Sequence, residues 1–231
     1  LIANEFPVII EAGYDPASAN QGWMGHYLLV IGYDDARQVF VTHDSYDGAS
    51  LEYSYAHILE YWQHFNYLYM PLYLGVREGE LNDILGDNVD PFVNAVNAFT
   101  LAQTEATRDP NNGFAWFNMG TSLVLLDMHE DAAIAYDQAR NLGLPWRMLW
   151  YQFGPYEAYN AIGRYNDTIM LANAVLNDGG GQYVEETFYY AAIAREGLGE
   201  TQRAIDNYNA VLNFNPNFTS ARERRDALLN Q

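Results

Sequence analysis

Cysteine and lysine are both absent, and the 11 basic side chains are all Arg against 30 acidic ones. Without Cys there is no disulfide framework, no thiolate metal site and no cysteine nucleophile within this chain. The formal charge of -19 argues against nucleic acid, because phosphate binding needs a positive surface. It argues equally against docking on anionic lipid. No apolar run approaches the roughly 20 residues of a membrane span, so no transmembrane segment is expected. Leu1-Ile2-Ala3-Asn4-Glu5 is not a signal peptide and lacks Met, which points to a processed or excised piece of a longer polypeptide.

What remains is a globular composition, 49% hydrophobic over 231 residues, enough for one large domain or two small ones. The pattern changes near residue 76. Before it, Phe6 to Ala12, His26 to Tyr33 and Gln38 to His43 are β-branched runs. The last two, joined by Asp34-Asp35-Ala36-Arg37, read as a hairpin. Tyr53 to Phe65 reads as a helix that Ser54 can cap. Asn66 to Leu74 returns to strand character, and Pro71 predicts an edge position. After Glu78 the pattern is helical. Asp90-Pro91 starts a helix, while Pro110-Asn111-Asn112 and Gly179-Gly180-Gly181 are breaks.

The helical half repeats. Trp116, Met119, Gly120, Leu123, Ala132, Tyr136 and Ala139 have the spacing of a helix-turn-helix unit. Seventy-two residues on, Phe188, Ala191, Ala192, Ala204, Tyr208 and Val211 occupy the same places, and Thr168, Ala172 and Val175 lie halfway. The turn recurs at Gly163-Arg164-Tyr165 and Gly199-Glu200-Thr201. This resembles the tetratricopeptide repeat: 113–146 and 185–218 match well, and 147–184 matches in its second helix only, with Pro155 where a helix former is expected. Residues 219–230 resemble a capping helix. Small residues let paired helices approach, and aromatics fill the groove between units. Trp116, Tyr136, Phe188 and Tyr208 are therefore core residues. The resemblance implies a protein or peptide partner on the concave face, for which Asn118, Ser122, Tyr151, Tyr159, Tyr189 and Arg195 are candidates. An acidic face rich in Tyr and Asn suits a polar or basic peptide.

The stretch GHYLLVIGYDDARQVFVTHDS carries the chemistry of the first half. It resembles the C-terminal half of papain-like double-glycine peptidases of the bacteriocin-leader-processing type, with Ser45 in place of the usual Pro. The resemblance puts His26 and Asp44 at the catalytic His and its orienting acid. A thiol nucleophile needs a His to take its proton and an acid or amide to hold that His. Parity tests the assignment. A four-residue turn at 34–37 gives His43, not Asp44, the face of His26, and a five-residue loop or one bulge reverses this. The bulge or longer loop is expected. In that family the Cys sits on a helix upstream of the His strand, together with an oxyanion-hole Gln; here either that half lies in sequence removed before Leu1, or the β half stands alone as a non-catalytic module.

His57, His64 and His129 read as surface residues, and His26 with His43 and Asp44 is not expected to bind a metal. No cofactor is expected. Gly197-Leu198-Gly199 follows no strand and is no nucleotide loop, and 83–90 lacks the order of a calcium loop. Arg222, Arg224 and Arg225 suit a helix C-terminus. Asn166 and Asn217 are in glycosylation sequons. The composition leans towards an exported or extracellular protein, with cytoplasmic residence an open alternative.

The expected fold is α+β: a small antiparallel β half-domain of papain-like type over 1–76, then an all-α tetratricopeptide-like solenoid with a C-terminal cap over 77–231. The expected function is an interaction scaffold carrying a peptidase-like module without its nucleophile, so the chain alone is not expected to be an enzyme. Two alternatives stay open: an active cysteine peptidase whose Cys lies upstream of Leu1, and a self-assembling extracellular structural protein, as a homo-oligomer or filament. The charged last helix argues against stacking through that end.

Overall fold

The computed structural model of the chain describes residues 1–14 and 22–230. Five strands, β1 (Val8–Tyr14), β2 (Met24–Asp34), β3 (Val39–Asp44), β4 (Gly48–Ser54) and β5 (Tyr69–Pro71), form one antiparallel sheet in the order β4-β3-β2-β1-β5. Helix α1 (Tyr55–Trp62) covers one face. There Ile58 packs with Val8, Ile10, Ala12, Leu28 and Val30. Ser54 caps α1 by accepting the His57 N–H at 3.1 Å. Pro71 sits on an edge strand, where its missing N–H leaves no ladder bond unmade. Strand β4 goes beyond the expected elements. Its polar members Ser50, Glu52 and Ser54 alternate outward, so it has no apolar run to announce it.

Nine helices among the described residues follow: α2 (Glu78–Leu85), α3 (Pro91–Arg108), α4 (Gly113–Leu125), α5 (His129–Asn141), α6 (Gly154–Ala161), α7 (Tyr165–Leu176), α8 (Glu185–Gly197), α9 (Thr201–Phe214) and α10 (Thr219–Leu229). Asp90 caps α3 through the N–H groups of Phe92 and Val93. The pairs α4/α5, α6/α7 and α8/α9 turn in one way. Asp127, Gly163 and Gly199 have φ of 61°, 76° and 74°. In each turn the next N–H reaches back to the helix carbonyl five residues earlier: Met128 to Leu123, Arg164 to Tyr159 and Glu200 to Arg195, at 2.8–2.9 Å. These are Schellman caps, and they recur every 36 residues. The repeat expected from side chains is thus written in the backbone too.

The middle unit departs from its neighbours for a reason. Gly120 and Ala192 are small where they meet Tyr136 and Tyr208. A Cβ on Gly120 would come within 2.7 Å of the Tyr136 ring. In the middle unit the sizes are exchanged: Tyr156 lies on the first helix and Ala172 on the second, in one cluster. Pro155 does not break this helix. It stands in the first turn of α6, where its missing N–H is harmless, after a 3-10 turn at Trp146–Trp150. Arg222, Arg224 and Arg225 lie in the middle of α10, not in its last turn, so the dipole reading is corrected. Arg224 instead donates to the Tyr208 hydroxyl at 3.2 Å, and Arg225 pairs with Asp226.

Sheet and helices meet at residues 63–67, a 3-10 turn (Gln63–Phe65) followed by Asn66 and Tyr67 with φ of 51° and 56°. The Gln63 carbonyl accepts from Asn118 Nδ2 at 2.7 Å, and Asn66 Nδ2 donates to Ser122 Oγ at 3.1 Å. Glu105, buried on α3, accepts from Gln63 Nε2 at 2.6 Å and from the Tyr67 hydroxyl at 2.5 Å. Gln152 Nε2 donates to the His64 carbonyl at 3.0 Å.

His64 is a second correction, since it is buried at this junction rather than on the surface. Its ring stacks on Phe114 with centroids 3.6 Å apart, and its Nδ1 accepts from Trp23 Nε1 at 3.0 Å. Burial pushes the imidazole down to about 4. The unfolded chain binds a proton below about pH 6.5 while the folded chain resists until about 4. Stability is therefore lost as pH falls through that interval, by up to about 3 kcal/mol. Urea unfolding at pH 7 and at pH 4.5 should show this loss, and His64→Gln should flatten it. An unchanged slope in the variant would assign the loss elsewhere.

Candidate functional site

His26 stands on β2, facing the same side as Leu28. The register with β3 runs Asp34↔Val39, Tyr33↔Phe40, Gly32↔Val41, then Val30↔Thr42, Leu29↔His43 and Leu28↔Asp44. Ile31 is the extra residue, so β2 carries a bulge. Loop length does not supply the parity change: the loop spans 35–38, again four residues, with Gln38 at φ 54°. The bulge alone turns Asp44 to the face of His26 and sends His43 to the other. His43 Nδ1 there accepts the Ser50 N–H at 3.1 Å.

Both side chains are buried, and His26 Nε2 lies 2.8 Å from Asp44 Oδ1. The distance is that of an ion pair, but Nε2 has no well-aligned hydrogen bond. Asp44 is held from every side. Oδ1 accepts the N–H groups of Tyr46 at 2.7 Å and Asp47 at 2.8 Å, and Oδ2 accepts the Tyr53 hydroxyl at 2.8 Å. Burial works against its ionisation, yet the Asp47 N–H, the His26 ring, the Tyr46 N–H and the Tyr53 hydroxyl together hold the carboxyl below the usual range. Asp44 is thus a fixed carboxylate that also ties the β3–β4 turn. Tyr14 stacks on the His26 ring with centroids 4.6 Å apart and donates to Asp47 Oδ2 at 2.9 Å. Desolvation and the Asp47 carboxylate push the Tyr14 hydroxyl up to about 12, so it stays a donor.

With Nε2 turned to Asp44, Nδ1 is the nitrogen left for proton transfer. The Ser45 hydroxyl lies 3.4 Å from it, the long end of hydrogen-bond range. Ser45 is poorly placed as a nucleophile. Its own N–H donates to the Tyr27 carbonyl, and the next two N–H groups are taken by Asp44. None of the three remains to stabilise an oxyanion there. The arrangement is an imidazole fixed against a buried carboxylate, with no nucleophile well placed at Nδ1 among the described residues. Among the described residues, no three His, Asp or Glu side chains converge as a metal site would require. Among the described residues no helix is long and apolar enough to cross a membrane.

The six candidate peptide contacts do not line one groove. Asn118, Ser122 and Tyr159 are buried and are corrected. The 63–67 turn covers the first two, and Tyr159 donates to Asp137 Oδ1 at 2.7 Å beneath the Arg164 guanidinium. Tyr151 lies edge-on to Trp23 and Phe65 at the junction. Tyr189 packs against Phe218, and Arg195 bonds Glu200 at 2.7 Å beside its turn. Sequence reasoning missed Tyr53 and Tyr14, whose only signal was position on strands flanking the His–Asp pair. It also missed Glu105 and Glu11, two buried acids with no motif around them.

Residues 1–70 match the family described as Peptidase_C39 like. A comparison with curated proteins gives no match. Two solved structures are similar in fold. One, "MamA 41-end from Desulfovibrio magneticus RS-1", is 16% identical with a TM-score of 0.51, over 62% of this chain and 85% of that one. The other, "MamA RS-1 ArsTM double mutant", is 15% identical with the same TM-score, over 62% and 84%. The chain thus joins a Peptidase_C39-like sheet, bearing a His–Asp pair and no cysteine, to a tetratricopeptide-like helical solenoid.

Proposed function

We propose that the chain is a protein-interaction scaffold whose repeats carry a peptidase-like module that does not itself cleave peptides. The observation that carries this reading is the nucleophile side of His26. The ring and Asp44 are in place, yet among the described residues the Ser45 hydroxyl beside Nδ1 lacks an oxyanion site. The repeats, by contrast, are complete in caps and core. Residues 1–76 and 77–231 form the two units of this scaffold, clasped at residues 63–67. With a charge of -19, the partner best suited is a basic peptide, bound with an affinity that salt weakens.

Fluorescence anisotropy with labelled basic, neutral and acidic decapeptides tests it. The basic peptide should bind tightest, and raising salt from 0.05 to 0.5 M should weaken binding by about tenfold. None of the three should be cut on prolonged incubation. Equal or absent binding by all three would sink the scaffold reading, and cleavage would overturn the inactive module.

The approach of His26 to Asp44 favours one second reading, a cysteine peptidase whose thiol is supplied from outside this chain. A thiol-directed activity probe on the longer polypeptide, with and without His26→Ala, distinguishes the two. Labelling that depends on His26 would establish the enzyme.

A further inference from the structure

Strand β1 presents two different faces. Val8, Ile10 and Ala12 enter the core under α1, so Ile9, Glu11 and Gly13 face the helices. Neighbours agree with that assignment: a Cβ on Gly13 would strike His64 and Trp23, and one on Gly25, opposite it on β2, would strike Phe65 and Tyr151. Glu11 lies on this inner face with 8% exposure. It borders a cavity of about 520 Å³ between the sheet and the helices, whose walls include Phe65, Tyr67, Tyr151, Gln152 and Phe153. The lining contains no Arg and no His.

A buried carboxylate is ordinarily paired with a cation, because desolvation is otherwise uncompensated. Among the described residues Glu11 has no cationic partner: Tyr27, opposite it on β2, brings a phenol beside it, and burial pushes its carboxyl up. The missing half of the pair is a positive charge. The cavity has the size of small-ligand sites, about 300–1,000 Å³. Its aromatic walls offer π faces that attract ammonium groups.

We infer that this cavity binds a protonated primary amine, with Glu11 as its counter-ion and the rings of Tyr151, Phe65 and Tyr67 as its walls. The amine can be the amino terminus of a peptide or a lysine side chain; the two share the chemistry that Glu11 recognises. The inference does not rest on the scaffold reading, because it concerns a separate cavity.

Titration calorimetry at pH 7 with three tripeptide amides tests it. Ala-Ala-Phe amide has a free amino terminus, N-acetyl-Lys-Ala-Phe amide has only the side-chain amine, and N-acetyl-Ala-Ala-Phe amide has neither. At least one amine-bearing peptide should bind about tenfold tighter than the neutral one, and the tighter of the two identifies the source. Glu11→Gln should bring that peptide down to the neutral level, with the melting temperature recording that the variant folds. In the wild-type protein, carboxyl resonances followed by NMR should show the Glu11 pKa falling when the amine peptide is added. Equal binding of the neutral peptide, unchanged binding by a folded Glu11→Gln, no binding by any of the three, or an unmoved Glu11 pKa would each overturn the inference.

Discussion

Replacing Asp44 with Ala is expected to cost about 2–4 kcal/mol and to loosen the β3–β4 turn. Three donors would be left behind. The N–H groups of Tyr46 and Asp47 and the Tyr53 hydroxyl all end on this carboxylate. An unsatisfied buried donor costs about 1–3 kcal/mol, and water at the turn recovers part of it. Asp44→Asn should cost less, because one oxygen remains, but its amide NH₂ must face a donor. The effect depends on pH with a known sign. The carboxyl is held below its usual range in the folded protein, so its contribution is present above about pH 4 and is lost as pH falls through the lower native value. Urea unfolding curves of wild type and Asp44→Ala should therefore differ at pH 7 and converge below about pH 4. A difference under about 0.5 kcal/mol at pH 7 would mean that the turn is held by other contacts. This stability readout is independent of catalysis. A structural cap and a catalytic orienter are compatible roles for one carboxylate.

The second large effect lies in the middle repeat. Tyr156 is fully buried among Leu149, Ala172, Val175 and Ala191 and stacks on Tyr190 at 5.5 Å. Tyr156→Ala should cost about 3–5 kcal/mol, the range for emptying a large aromatic site. Ala172→Tyr alone should overpack and cost about 1–3 kcal/mol. Made together, the two changes restore the arrangement of the flanking units, where a small residue on the first helix meets Tyr on the second. The double variant should be more stable than the sum of the single costs by about 1–2 kcal/mol. Strict additivity would show that the exchanged sizes are not coupled, and that each residue answers only to its own surroundings.

The parts legible in the sequence were those with local causes. Asp90 before Pro91, Ser54 ahead of α1, Pro71 on an edge and the recurring small–aromatic spacing each act within a few residues. The His26–Asp44 pairing was legible as a parity requirement, but its device was not. Any residue between them could have been the extra one, and nothing in Val30-Ile31-Gly32 marks Ile31. His64, Asn118 and Ser122 were misplaced for one shared reason. Each belongs to a surface that a distant part of the chain covers, and helical periodicity describes a surface without saying what lies against it. Tyr159 was misread because its packing and its bond to Asp137 depend on the preceding helix pair. Glu11 sits in a run that reads as an ordinary strand, and its setting emerges only when the helices close over it.

The bulge at Ile31 makes the pairing of His26 with Asp44 unequally tolerant of insertions and deletions. The 35–38 loop lies beyond the bulge, so it can gain or lose residues as surface length while the strands keep their frame. A single-residue deletion between His26 and Ile31 falls within the frame itself. If the bulge is kept, the deletion slides His43 into the place of Asp44 and leaves His26 facing another imidazole; only taking Ile31 into the ladder, which erases the bulge, keeps the pairing. The chemistry of this sheet is stored as an odd-or-even count along one strand, and Ile31 is the residue that sets it.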